Sequence, residues 1–334
     1  MDSNVTFDFV AIGDTVIDAF IKLPTDIPQE HIQETAHGKE LCLAFGSKIP
    51  FEDVFILPAV GNSANASVSA SRLGLKSALI TSLGNDTYAQ DCLNKLQKDG
   101  VATNFIRLED GKKTNYHYVL WYKDDRTILI KHEKFTPSIP DMAPPKWIYL
   151  SSLGGHTLPF HKEIVEYIEK NPNVQLAFQP GTFQLGFGKE ILDLYKKTTV
   201  VCMNKEEAYG LLDAEGEDMK VLLDKLEAFG PKITIITDGP FGAYMKYNGQ
   251  YYNMPLYPDP APPYERTGAG DAFFSTFVSY LAKGHDAKEA MKRAPINSMN
   301  VVQHVGAQEG LLTEEKLEDL LKNGPADYVL KPLL

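Results

Sequence analysis

The stretch ERTGAGDAFFSTF, residues 265–277, carries the strongest local signal in the chain. Apolar residues follow at Ala272, Phe273, Phe274, Phe277, Val278 and Leu281, a helical spacing that puts Gly268 to Asp271 at a helix N-terminus. The first backbone N–H groups of a helix lack partners, and its dipole favours negative charge there. Glycine has no Cβ, so Gly268 and Gly270 let the backbone close on an anion. Asp271 then stands in the first turn, where a carboxylate beside a phosphoryl group can accept the proton of an attacking hydroxyl. An Asp that merely caps the helix fits the local pattern equally well. The rest of the chain has to decide.

Immediately upstream, PDPAPPYE (Pro258–Glu265) is an extended, proline-rich approach. Further out, short apolar runs alternate with amphipathic segments. FDFVAIG, SALITSLG, WIYLSS, VQLAF, TTVVCM and KITIITD read as buried strands. YAQDCLNKLQKDG, 160–170 and 219–229 read as helices. This rhythm predicts a mostly parallel sheet covered on both faces. Two segments break it, 19–60 and 103–135. The second contains TNYHYVLWYKDDRTILIKHE, which alternates around a hairpin turn at KDDR. The expectation is one domain over 1–334 with these segments forming a small, mostly antiparallel lid.

Composition narrows the partners. Of 334 residues, 43% are hydrophobic and 23% charged, with a net charge of −11. That is globular composition, and the acidic balance argues against nucleic acid. Cys42, Cys92 and Cys202 form no CxxC pair, which suggests neither a disulfide framework nor a zinc site. His117, His132 and His156 are scattered and make weak metal ligands. No run is long and apolar enough to span a bilayer, and MDSNVTFDFVAIGD lacks the features of a leader, so a cytoplasmic location is expected.

Four other segments carry candidate chemistry. In IGDTVID, Asp14 and Asp18 follow a buried strand, where open α/β sheets bind ligands, although turn capping explains a lone Asp as well. Gly61 and Asn65 open a helix of Ala and Ser, whose small residues also suit tight packing alone. Asn204 and Glu207 share a helix face and could converge on hydrated magnesium, or form a simple capping box. Thr237, Gly239 and Gly242 join two strand-like runs, where glycines also serve plain turns.

Taken in this order, the five segments resemble the ribokinase/PfkB-type carbohydrate kinases, a group that includes ribokinase, fructokinase and adenosine kinase. The resemblance covers nearly the whole chain. It implies a ribokinase-like three-layer α/β/α sandwich and an ATP-dependent kinase acting on a hydroxyl of a sugar or nucleoside. It implies Asp271 as general base, with an anion hole at Gly268, Ala269 and Gly270. It implies acceptor binding by Asp14, Asp18, Gly61 and Asn65, magnesium ordered through water by Asn204 and Glu207, and ATP along Thr237, Gly239, Gly242 and the 297–306 region, including Asn297 and Gly306. The late loop QHVGAQEG is similar to one bordering the adenine and a monovalent-cation site. Relatives often pair through their lids, so a homodimer is expected, helped by Phe45, Phe51, Phe55, Tyr118 and Trp121.

The departures bear on specificity. Val60 replaces the first glycine of the acceptor motif, and Gln179 and Gly181 stand where relatives often have Asp-Pro-Asn. Glu265 and Arg266 replace an Asp and a small residue, which leaves potassium activation open. Arg266 could reach a phosphate or pair with an acid. A phosphosugar acceptor would need extra bases, with Lys39, Lys48, Arg126 and Lys131 as candidates. A non-catalytic member would tend to lose the Gly-Ala-Gly-Asp that this chain keeps.

Overall fold

The computed structural model describes residues 5–26, 32–35, 38–123 and 125–333. Parallel strands β1 (Phe9–Ile12), β6 (Ser77–Gly84), β7 (Ile106–Glu109), β10 (Trp147–Leu150), β11 (Gln175–Phe178), β12 (Val200–Asn204) and β13 (Ile233–Thr237) form most of one sheet. Strands β14 (Ala243–Tyr247), β15 (Gln250–Met254) and β16 (Lys331–Pro332) extend it antiparallel. The order is β16-β15-β14-β13-β12-β11-β10-β1-β6-β7.

Alternation along the strands builds two cores. On β1, Phe9 and Ala11 face one layer while Val10 and Ile12 face the other, all fully buried. The first layer holds α1 (Asn62–Arg72), α2 (Thr87–Lys98), α8 (Ala269–Ala282), α9 (Ala287–Val301) and α10 (Glu314–Lys322). The second holds α3 (Leu158–Lys170), α4 (Thr182–Phe187), α5 (Leu192–Lys197), α6 (Lys205–Leu212) and α7 (Met219–Glu227). The result is the three-layer α/β/α sandwich that the alternating pattern implied.

A second sheet, β5-β2-β8-β9, forms the lid from β2 (Val16–Lys22), β5 (Asp53–Val60), β8 (Asn115–Tyr122) and β9 (Asp125–Leu129). A separate hairpin joins β3 (Ile32–Thr35) and β4 (Gly38–Leu41). The lid boundaries differ from the expected segments. The lid starts at Val16, because the chain leaves β1 and pairs at once with β5 and β8. Within the second segment Ile106–Glu109 belongs to the main sheet, because β7 pairs in parallel with β6. Asp124 of the KDDR turn lies outside the described residues, as do 27–31 and 36–37 of the first segment. Trp121 and Phe55 also turn inward, with Phe20, Leu57 and Val305, while Tyr118 on the alternate face is exposed. The strand period of two sends these neighbours to opposite sides.

Candidate functional site

The site lies beyond the carboxyl ends of the parallel strands, where such sheets bind ligands. Asp14 follows β1, Ser152 follows β10 and Gln179 follows β11, while Asn204 and Thr237 end β12 and β13. The lid hangs over this edge and encloses a cavity of about 820 Å³. A neighbouring cavity of about 310 Å³ lies between the β13–β14 turn, the Pro-rich approach and α9. Arg266, Ala269 and Gly270 line both. The two spaces therefore meet at the start of α8.

That helix start is built around Gly268. Its φ of +82° is left-handed, and a Cβ there would collide with Ala307. The first α8 bond runs from Ala272 N–H to Gly268 O, at 2.8 Å. The N–H groups of Ala269, Gly270 and Asp271 are thus left without intrahelical acceptors. At Gly270 a methyl would meet only the Gln179 amide, at 3.7 Å, so protein packing does not demand glycine there. The open volume belongs to the cavities.

Asp271 is buried beside this opening. Asn62 donates to Oδ1 at 2.8 Å, Asn65 to Oδ2 at 2.8 Å, and Gln179 to Oδ1 at 3.2 Å. Burial raises its pKa above the usual aspartate value, and the three amides act in the opposite direction. Upstream, Glu265 is 1% exposed, and its Oε1 accepts from Thr267 N–H at 2.8 Å and from the Thr267 hydroxyl at 2.5 Å. The guanidinium of Arg126, on lid strand β9, places Nε 3.6 Å from the same oxygen. Arg266 has no ion-pair partner within 4.0 Å among the described residues, and its charge acts on the Asp259 carboxyl across the smaller cavity.

The expected acceptor residues Asp14, Asp18, Gly61 and Asn65 all line the larger cavity. Asp18 sits within β2 of the lid, not at the end of a main-sheet strand as its position after β1 suggested. Gly61 has φ +109°, and a Cβ would meet the carbonyl oxygen of Asp14 at 2.7 Å. Asn65 faces Asp271, and its own carbonyl accepts from Gln308 at 3.0 Å. Thr237, Gly239 and Gly242 line the smaller cavity. Asn297 and Gly306 line neither cavity. Asn297 is fully buried, donating to Thr276 at 2.8 Å and accepting from Leu312 N–H at 2.9 Å, so it ties α9 to α8 and to the following loop. Gly306 packs against Leu57 of the lid.

Asn204 and Glu207 form a reciprocal capping box at the start of α6. Asn204 Oδ1 accepts from Glu207 N–H at 2.8 Å, and Glu207 Oε2 accepts from Asn204 N–H at 2.9 Å. Asn204 also lines the larger cavity, and burial raises the Glu207 pKa. The cap uses one oxygen of that carboxylate. The remaining hard-oxygen donors suit a magnesium ion that keeps its waters. No group of three or more metal-ligating side chains occurs among the described residues.

Several cavity residues were not assigned from sequence. His117 Nδ1 lies 3.3 Å from Asp18 Oδ1, and His132 Nδ1 lies 3.5 Å from Asp14 Oδ2. The two imidazoles are 5.4 Å apart between centroids. Read as metal ligands they looked scattered; as partners of the two expected aspartates they form one lining. Asn62, adjacent to Gly61, carries no motif of its own in the sequence. Of the candidate phosphate-binding bases, Arg126 lines this cavity.

The model of the pfkB family carbohydrate kinases matches residues 57–314. Ribokinase of Bacillus subtilis is 26% identical over 78% of this chain and 87% of its own length. An ATP-dependent 6-phosphofructokinase of Thermoanaerobacterium thermosaccharolyticum is 24% identical over 74% and 80%. Among solved structures, Arabidopsis thaliana ribokinase, complexed with ribose and ATP, superposes with a TM-score of 0.78 at 18% identity, over 95% of this chain and 99% of that one. The nucleoside kinase of Methanocaldococcus jannaschii superposes with a TM-score of 0.75 at 17% identity, over 95% and 99%.

Proposed function

The chain belongs to the pfkB family of carbohydrate kinases, phosphotransferases acting on a sugar hydroxyl, and on that premise we propose that it phosphorylates an unphosphorylated sugar, with Asp271 as the base. The observation that carries the reading is the meeting of two cavities at Ala269 and Gly270, with Asp271 on the larger side. ATP would lie in the smaller cavity along Thr237, Gly239 and Gly242, its terminal phosphate directed at the α8 N-terminus. The acceptor would lie under the lid.

Asp14 and Asp18, each beside an imidazole, suit the paired hydroxyls of a neutral sugar. A phosphate on the acceptor would face these carboxylates; of the two guanidiniums lining the cavity, Arg126 already stands beside Glu265 and Arg266 also borders the smaller cavity. As the acceptor oxygen bonds to the γ-phosphorus, its proton passes to Asp271 and ADP leaves. The N–H groups of Ala269, Gly270 and Asp271 face the charge on the transferred group. Magnesium bound near Asn204 and Glu207 would screen the phosphate charge. The Arg126 guanidinium supplies positive charge at Glu265, so potassium is not required.

Val54, Ile56, Tyr118 and Leu129 expose apolar surface on the outer lid, which supports a homodimer through that face; a monomeric mass in solution refutes it. A nucleoside acceptor is a second reading, favoured by the apolar wall of Ile128, Ile130 and Phe183. The test is ADP release with ATP against a panel of pentoses, hexoses, nucleosides and fructose 6-phosphate. A response to free sugars is expected. A response to the phosphosugar alone overturns the reading of the acceptor, and a response to nucleosides alone selects the second.

A further inference from the structure

The base proposed above is enclosed by neutral amides from separate parts of the chain, and their orientations are set from behind. Tyr149, fully buried on β10, donates its hydroxyl to Gln179 Oε1. The Gln179 amide nitrogen is thereby turned to Asp271 Oδ1, at 3.2 Å. On the other side Lys95 donates to Gln308 Oε1 at 3.0 Å, Gln308 Nε2 donates to Asn65 Oδ1 at 3.0 Å, and Asn65 Nδ2 donates to Asp271 Oδ2 at 2.8 Å. Every link of both relays donates toward the carboxylate. Burial and the Asp271 charge push the Tyr149 phenol well up, so it remains a donor.

We propose that Gln179, held by Tyr149, is a positioning residue for Asp271: it aims the carboxylate at the acceptor and favours its ionised form between turnovers. The reading of Asp271 as base is the ground on which this rests. Three donors face the two oxygens, two at Oδ1 and one at Oδ2, and each bond favours the ionised carboxylate. The Gln179 bond is the longest of the three, and Gln179 lines the cavity beside Gly270. It is therefore the contact that lengthens when an acceptor hydroxyl donates to Oδ1. The acceptor O–H bond breaks, the proton moves to Oδ1, the O–P bond forms, and the electron pair of the broken P–O bond leaves with ADP. The collar then disfavours the protonated acid and returns the proton to water or product phosphate.

The charged and titratable surroundings are Tyr149 below, Glu207 from α6, Arg266 from the approach loop and Asp14 from the end of β1. Across the cavity the lid presents Asp18, His117, His132 and Arg126. None of them hydrogen-bonds to Asp271, so a change at Gln179 is read directly on its carboxyl.

The test follows that ionisation in the whole protein without ligand, by carbon-13 NMR with aspartate labelled at Cγ. The Asp271 resonance is assigned from its absence in Asp271→Asn. Gln179→Met removes one donor to a charged acceptor and should raise the midpoint by about one pH unit. Tyr149→Phe should raise it by less, and Gln179→Glu should raise it most, through like charge. An unchanged midpoint in Gln179→Met overturns the proposal, and because Gln179 lines a cavity this variant decides even if Tyr149→Phe does not fold. The base reading fails separately, by full phosphoryl transfer in Asp271→Asn, whatever the midpoints do.

Discussion

Glu265 and Asp271 flank the same helix start, both buried, and the protein treats them in opposite ways. Asp271 receives three neutral amides and opens to the larger cavity. Glu265 is closed in: one oxygen takes the backbone and hydroxyl of Thr267 beside a lid guanidinium, while Oε2 has no hydrogen-bond partner among the described residues. A carboxylate held by neutral donors, one of them able to yield, is suited to receive a proton. A carboxylate spent on its own loop and a cation is suited to hold that loop in place. The carboxylate is shared, and the donors around it separate the proposed base from the supporting residue.

The comparison breaks first at Asp271. Asp271→Asn should lower kcat by about a thousandfold or more while ATP binding survives, measured by turnover and calorimetry. Near-normal turnover removes the proposed base. As the proposed base, Asp271 would act unprotonated, so kcat/KM should fall as pH drops through its pKa, with the acid limb above the usual aspartate value because burial raises it. Next is Gly268→Ala, which forces a side chain into a left-handed conformation against Ala307. Misplacing the N–H groups should cost about a hundredfold in kcat, with a lower Tm; unchanged kinetics would mean that the helix start does not position the transferred group.

Glu265→Gln sharpens the other side. It keeps an acceptor for Thr267 but loses the charge beside Arg126, so a loss of about 1 kcal/mol in urea unfolding is expected. The fall in kcat should be far smaller than at Asp271, and an equal fall would erase the distinction. The smallest effect is ionic. With Arg126 beside Glu265, turnover should be nearly the same in potassium, sodium or a large organic cation. Strong activation by potassium would show that the guanidinium does not serve there.

The sandwich was legible because parallel strands and their covering helices leave long, local patterns. The lid edges were not, since alternation marks a strand without naming its partner: β7 joined the main sheet and β2 the lid. Gly268 to Asp271 could be read because helix-end chemistry is local. The amides around Asp271 could not, as Asn62 and Asn65 lie 209 and 206 positions away in sequence and Gln179 lies 92 away. Gln179 was visible only as a missing acid. Asn297 misled because a polar residue beside a ligand-binding loop looks the same in sequence as one that pins two helices together.

The meeting of the two cavities at Arg266, Ala269 and Gly270 also bears on inhibitor design. One molecule passing this gap could carry an adenine-side group and a sugar-side group on a short tether. Once either end docks, the other is held near its own site at millimolar effective concentration. The lid-side half would meet the imidazoles of His117 and His132.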